Sequence, residues 1–260
     1  MRRGDSVFIQ GEGRKKMICP KCGFKQEDGS AECAKCGVIF RKYLENREVY
    51  AEKNGPVEEE QHKISFDGII KELLFSIEPE TNRLYFTGRV ITFLFVFIWG
   101  CIMILSTLGA GYSSSSFMHL VNLPFHEAGH IFSRPFGQWI TSLGGTLGQL
   151  LMPMVCMVVF LLKAKNPFGA SICLWWFGEN FMDITPYIDD ARSLSLPLLG
   201  GNIGQDSPYG FHDWEYILNE IGLIQYDHTI AKASFGLGTI LMLISFVWGG
   251  YLLLKQYKDL

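Results

Sequence analysis

The amino-acid sequence predicts an all-α polytopic membrane protein, a helical transmembrane bundle, with a small cysteine-rich module at its N-terminus. Three observations lead there: a chain that is 48% hydrophobic with a mean hydropathy of +0.16, a sharp change of composition near Arg89, and four closely spaced cysteines ahead of that change. A soluble domain of 260 residues does not ordinarily carry so much apolar sequence. Up to Arg89 the chain is polar and charged, whereas from Val90 onward it is mostly apolar, with charges gathered into short clusters. The expected division is residues 1–43, 44–89 and 90–260. A net charge of −3 and a pI near 6.1 create no field that would draw nucleic acid, and the basic residues of the first part alternate with acidic ones. No nucleic-acid partner is expected.

Residues 1–13 lack the apolar run of a signal peptide. The cysteines that follow read Cys19-Pro-Lys-Cys22 and Cys33-Ala-Lys-Cys36, two tight knuckles able to meet around one tetrahedral zinc ion. Two disulfides would require an oxidising compartment and would leave the paired spacing a coincidence. Thiolate ligation implies a reducing compartment and therefore a cytoplasmic N-terminus. Residues 16–43 are too few to bury a useful core, so the metal must supply the folding free energy. The segment resembles a zinc ribbon, with Gly23 and Gly37 after the second cysteine of each knuckle. Such a module either recruits a protein partner or stabilises the N-terminus. Cys101, Cys156 and Cys173 lie in apolar sequence and read as inert core thiols.

Residues 44–89 form a charged connector, in which 64–77 is amphipathic: Ile69, Ile70, Leu73, Leu74 and Ile77 share one helical face. That helix packs on the body or lies on the membrane surface. Apolar stretches then follow at 90–111, 135–162 and 233–254, each long enough for a hydrocarbon core of about 30 Å. A further one, 168–178, becomes a full span if continued through Glu179, Asn180 and Asp183, with Pro186 expected to end or kink the helix near Thr185. Trp99, Trp175, Trp176 and Trp248 are expected at the membrane interface. Ser113 to Ser116 reads as a loop. Gly144-Gly145-Thr146-Leu147-Gly148 puts Gly144 and Gly148 at the spacing that lets a neighbouring helix approach closely, the alternative being a substrate-binding loop.

Residues 117–133 are an apolar helix interrupted by His126-Glu127-Ala128-Gly129-His130. Two imidazoles four apart on a helix point the same way and can hold one zinc ion, with Glu127 placed to accept a proton from water beside it. An ionised glutamate in lipid costs about 3 kcal/mol or more, so at membrane depth its presence implies a function. A third protein ligand must be Asp, Glu or His. The densest group is 178–190, where Glu179 and Asp183 lie four apart on one face. Asp183 is the favoured ligand, with Asp189, Asp190 and His212 as alternatives, the last within an outlying His212-Asp213-Trp214 segment. The polar connection 193–228 is too elaborate for a turn and is expected to cap the cavity.

The membrane-embedded His-Glu-Ala-Gly-His helix, followed by a span and then by Asn, Pro and Asp in that order, resembles the site-2 protease family of intramembrane zinc metalloproteases. The resemblance covers residues 117–192, and the family's usual Leu-Asp-Gly ending is replaced by Pro186-Tyr187-Ile188-Asp189-Asp190. It implies that His126 and His130 ligate zinc, that Glu127 is the catalytic base, and that Asn180 orients substrate or polarises its carbonyl. Two zincs are then expected, one catalytic and one structural. The substrate would be a membrane-associated or transmembrane polypeptide. The protein would be integral to the lipid bilayer, in the inner membrane of a bacterium, with its N-terminus cytoplasmic. The competing expectation is a non-catalytic zinc-binding scaffold that recruits a partner through the ribbon.

Overall fold

A computed structural model describes residues 16–44, 66–76, 82–106 and 116–258. The expectations for residues 1–13, for most of the 44–65 connector and for Ser113 to Ser115 lie outside these residues. The chain divides into two compact units, Met1–Lys63 and Ile64–Leu260.

In the first unit, β1 (Lys16–Ile18) pairs antiparallel with β2 (Lys25–Glu27), Met17 facing Gln26. Each Cys-x-x-Cys pair bends its backbone the same way. The Gly23 amide donates to the Cys19 carbonyl at 2.9 Å and the Gly37 amide to the Cys33 carbonyl at 2.8 Å. Both glycines sit at positive φ, 71° and 67°, which a side chain would strain. Among its described residues, Cys19, Cys33 and Phe40 form the buried cluster, with Met17 and Val38 against them. So little apolar burial does not hold a fold by itself.

The second unit is helical: α1 (Phe66–Phe75), α2 (Arg83–Leu105), α3 (Phe117–Ser133), α4 (Gln138–Leu162), α5 (Pro167–Asp189), α6 (Asp213–Glu220) and α7 (Asp227–Lys258). Starts are set by caps. Asn82 Oδ1 accepts from the Leu84 amide, Ser116 from His119 and Asn166 from Gly169, the last with Pro167 in the first helical position. A break at Gly137 (φ 92°) separates α3 and its short 3-10 extension from α4.

Three helices, Arg83–Leu105, Gln138–Leu162 and Ile224–Lys258, are long and apolar enough to cross a membrane. Leu94, Phe95 and Ile98 of α2, Leu151 and Val155 of α4, and Ile240 and Val247 of α7 all point outward. Such a continuous apolar exterior is what lipid contact requires and what water would penalise. α5 is the central helix instead, with Ala170, Cys173, Trp175, Met182, Ile184 and Ile188 buried along its length. It packs chiefly on α7 and α4, and α3 packs on α4. Pro186 does not end it near Thr185. The proline falls in the last turn, where one lost backbone bond matters little, and the Asp190 amide still reaches the Pro186 carbonyl at 3.0 Å.

One further sequence expectation changes. Trp175 is 3% exposed and packs with Met103, Met242 and Phe246, while Trp176 donates to Asn122 Oδ1 at 2.8 Å, so both serve the interior and not an interface. The amphipathic segment is tied to the body: Trp248 Nε1 donates to the Leu74 carbonyl and Lys255 Nζ to that of Phe75, satisfying the C-terminal carbonyls of α1.

The ends of the helices carry different charges. The starts of α2 and α5 and the end of α7 meet where Arg89 Nη2 donates to Asn166 Oδ1 at 3.3 Å and Phe86 packs on Tyr257, with Lys163 and Lys165 beside them in the connection from α4. At the opposite end the connections are held by acidic groups. Arg192 pairs with the buried Asp227 at 2.7 Å, and His228 with Asp189 at 2.6 Å.

Candidate metal centres

Two groups of side chains converge as metal ligands do: Cys19, Cys22, Cys33 and Cys36, and His126, His130 and Asp213.

In the ribbon, Cys19 Sγ lies 3.8 Å from Cys36 Sγ and Cys22 Sγ lies 3.7 Å from Cys33 Sγ. A disulfide would bring sulfurs to about 2.05 Å. A tetrahedron with metal–sulfur bonds of about 2.3 Å has edges of about 3.8 Å, so the spacing fits zinc. Burial opposes ionisation of Cys33, yet the Cys36 and Lys35 amides and the neighbouring thiols outweigh it and bring this thiol down to about 6.

The second group is built from three elements. On α3, His126 and His130 lie one turn apart with ring centroids 4.7 Å apart. Their Nε2 atoms both point at Asp213 Oδ2, the first residue of α6, at 3.3 and 3.2 Å. Their Nδ1 atoms face α4: His126 meets Gln149 Oε1 at 2.8 Å, and His130 meets the Thr141 carbonyl at 2.7 Å. A carbonyl only accepts, so His130 Nδ1 carries the proton. Gln149 turns its Nε2 to Asp183 Oδ2, which leaves its oxygen to accept from His126. With each Nδ1 engaged in this way, both imidazoles turn Nε2 to the same carboxylate oxygen. The two Nε2–Oδ2 separations are 3.3 and 3.2 Å, and all three donor atoms lie within 4.8 Å of one another, as ligands of one cation do. Bonds of about 2.0–2.1 Å to a tetrahedral ion imply donor separations of about 3.3–3.4 Å, so this set also fits zinc.

Space for an ion exists because α4 carries glycine here. A Cβ added at Gly145 would lie 2.5 Å from both His126 Nε2 and His130 Nε2. Gly129, Gly144 and Gly148 let α3 and α4 touch backbone to backbone: a Cβ on Gly129 would collide with the Gly144 carbonyl, and one on Gly148 with the Phe125 carbonyl. The histidines are thus pressed against the face of α4 that holds their Nδ1 atoms.

α6 is positioned by its cap. His212, fully buried, accepts the Glu215 amide on Nδ1 at 3.1 Å and stacks on Tyr187 at 4.9 Å. Its Nε2 lies 3.7 Å from Asp190 Oδ2. Asp190 in turn gathers the Ser195 and Leu196 amides and the Ser193 and Ser195 hydroxyls.

The favoured third ligand, Asp183, is not at the histidine pair. Its Oδ1 is 2.9 Å from His119 Nδ1, and its Oδ2 accepts from Asn122 at 3.1 Å and Gln149 at 3.4 Å. α5 meets α3 at His119 and Asn122, one to two turns short of His126, so Asp183 reaches that imidazole only through Gln149. Asp189 is taken by His228, Asp190 by its loop and His212 by the cap; within that outlying segment it is Asp213 that reaches the site. Asn180, fully buried, donates to the Trp176 carbonyl in its own helix, and no hydrogen bond joins it to His126, Glu127 or His130 among the described residues. Glu127 is half-buried and near enough to act electrostatically on His130 and Tyr187. Gln149, Thr141 and Gly145 carried no sequence signal of their role, since each acts through one atom, or through the lack of one, on a helix packed against the motif.

Comparison of the chain with protein families, with curated proteins and with solved structures finds no match in any of the three.

Proposed function

We propose that residues 64–260 form a zinc-dependent peptidase that works within the membrane, as the likeness to site-2 proteases implies, and that the N-terminal ribbon holds a separate, structural zinc. The observation that carries this reading is the convergence of the His126 and His130 Nε2 atoms and the Asp213 carboxylate beside Glu127, with both Nδ1 atoms engaged by α4. His126, His130 and Asp213 would hold the ion. A zinc ion in such a site supplies Lewis acidity, making water a nucleophile near neutral pH and polarising a peptide carbonyl.

The chain's own residues do the rest. Gln149 and the Thr141 carbonyl fix the tautomers and ring orientations of the two histidines, so their geometry does not have to be assembled when substrate arrives. Glu127 takes a proton from the attacking water and returns one to the amine nitrogen as the carbon–nitrogen bond breaks, which leaves a carboxylic acid and an amine. An intact helix hides its amides, so the substrate is a membrane-associated or transmembrane polypeptide that unwinds locally.

Metal content tests the reading directly. Purified full-length protein should hold two zincs per chain. Asp213→Ala should lose one and Cys33→Ser the other, and a wild type holding only the ribbon zinc would leave a scaffold as the better description.

A further inference from the structure

We infer that the His126, His130 and Asp213 site opens at the extracytoplasmic margin of the membrane, and that its substrates are membrane-anchored polypeptides cut where they emerge on that side. The inference rests on the peptidase reading above and adds to it a side, a depth and a substrate class.

Sorting the charges by the fold sets the side. Arg83 and Arg89 at the start of α2, Lys163 and Lys165 in the four-residue connection 163–166, and Lys255 and Lys258 at the end of α7 all belong to one end of the helices. The guanidinium of Arg89 also lies over the ring of Phe168, at the start of α5. At the other end, the 37 residues from Asp190 to Tyr226 contain no lysine and one arginine, Arg192, which is paired with Asp227. Arginine and lysine mark the cytoplasmic side of short connections and acidic residues contribute little, so the dense end is cytoplasmic and the 190–226 connection is outside. From sequence alone Arg134 and Lys163 gave mixed evidence; in the fold Arg134, Arg192 and Lys232 lie at one end of the helices, three cations against a cluster of six at the other.

The same fold sets the depth. Thr141, which holds His130, lies 22 residues before Lys163 on a single helix, and Gln149, which holds His126, lies 14 before it. At about 1.5 Å per residue these are about 33 and 21 Å from the cytoplasmic end of α4, against a hydrocarbon core of about 30 Å. The site therefore occupies the outer third and its boundary. Asp213 arrives from outside, on a helix borne by the external connection, and that connection lies close over the start of α4: a Cβ on Gly210 would be 3.0 Å from Gln138 Nε2.

A peptide reaching this site is near the end of a transmembrane helix, where the last carbonyls lack helical partners and the backbone is easily drawn into extended form. Cutting there releases an external fragment and leaves the anchor in the membrane.

The test uses the full chain in sealed cells. Leu199→Cys, in the external connection, and Lys163→Cys, at the basic end, are each challenged with a membrane-impermeant maleimide, and the label is counted above that of wild type. Leu199→Cys should label before lysis and Lys163→Cys only after it; the reverse pattern overturns the inference. Two single-span reporter polypeptides, with a flexible Gly/Ala stretch at the outer or the inner margin, are then co-expressed with wild type and with Glu127→Gln. The outer reporter alone should be cut, and only by wild type. Cleavage of the inner reporter overturns the inference while the peptidase reading survives. Outer labelling with neither reporter cut sinks the peptidase reading and the substrate claim together.

Discussion

The ribbon and the histidine site both draw metal ligands together, yet they do so by opposite means. Cys19 to Cys36 spans 18 residues, and each knuckle is closed by a hydrogen bond back to its own first cysteine, at Gly23 and at Gly37. The ligand set is local, and the fold around it is too small to stand without the ion. In the other site His126 and Asp213 are 87 residues apart, and three helices must pack before the donors meet. There the packing of the helices brings the donors together. The contrast teaches that ligand spacing reveals a site that metal builds, but not a site that packing builds.

That contrast can be broken or sharpened by experiment. Glu127→Gln should have the largest effect, lowering turnover by about 10² to 10⁴ while both zincs remain, as expected for a group that moves protons and binds no metal. Cleavage assays with parallel metal analysis check it, and an active variant would remove Glu127 from the chemistry. Gly145→Ala should next abolish the histidine-site zinc outright while the ribbon keeps its own, because the new methyl would lie 2.5 Å from both Nε2 atoms. Zinc counting reads the loss, and two retained zincs would mean that the ion is not held at Nε2.

Cys33→Ser should unfold the ribbon, seen as rapid proteolysis ahead of residue 64, without changing the other site. An intact ribbon in that variant would contradict the idea that metal supplies its folding energy. Gln149→Ala should weaken zinc by about 10- to 100-fold, since it frees only the hydrogen bond that orients His126. Asp183→Ala should leave the stoichiometry at two. Competition with a zinc chelator separates these two variants from Asp213→Ala, in which one zinc is lost altogether.

The smallest effect concerns pH. Burial acts to raise the Asp190 carboxyl, but the Ser193 hydroxyl and the Leu196 and Ser195 amides lower it overall. A carboxylate whose folded value lies below its unfolded value of about 3.9 stabilises the fold above that value and loses the contribution as pH falls through the folded one. Asp190→Asn should therefore loosen the connection to α6 at neutral pH, with the difference from wild type shrinking in acid. Hydrogen exchange of residues 193–196 would report it.

Much was legible in the chain before folding. The apolar lengths announced helices able to cross a membrane, the paired Cys-x-x-Cys announced a cysteine cluster, and four-residue spacing placed His126 and His130 on one face. Asp183 misled because it sits on an apolar helix at the right depth, and depth is not direction: its face of α5 meets His119 and Asn122. Asp213 was hidden because nothing about an aspartate after a histidine in a long polar connection distinguishes a candidate ligand from a helix start, and here the helix start also meets the two histidines.

Periodicity and local spacing, which depend on backbone geometry within a few turns, were decided by the order of residues alone. The third donor, the orientation of both imidazoles and the space left for an ion were decided by tertiary structure. They depend on glycines that let two helices touch and on a buried cap that returns a distant loop to them, and no short stretch of sequence encodes a distance between elements.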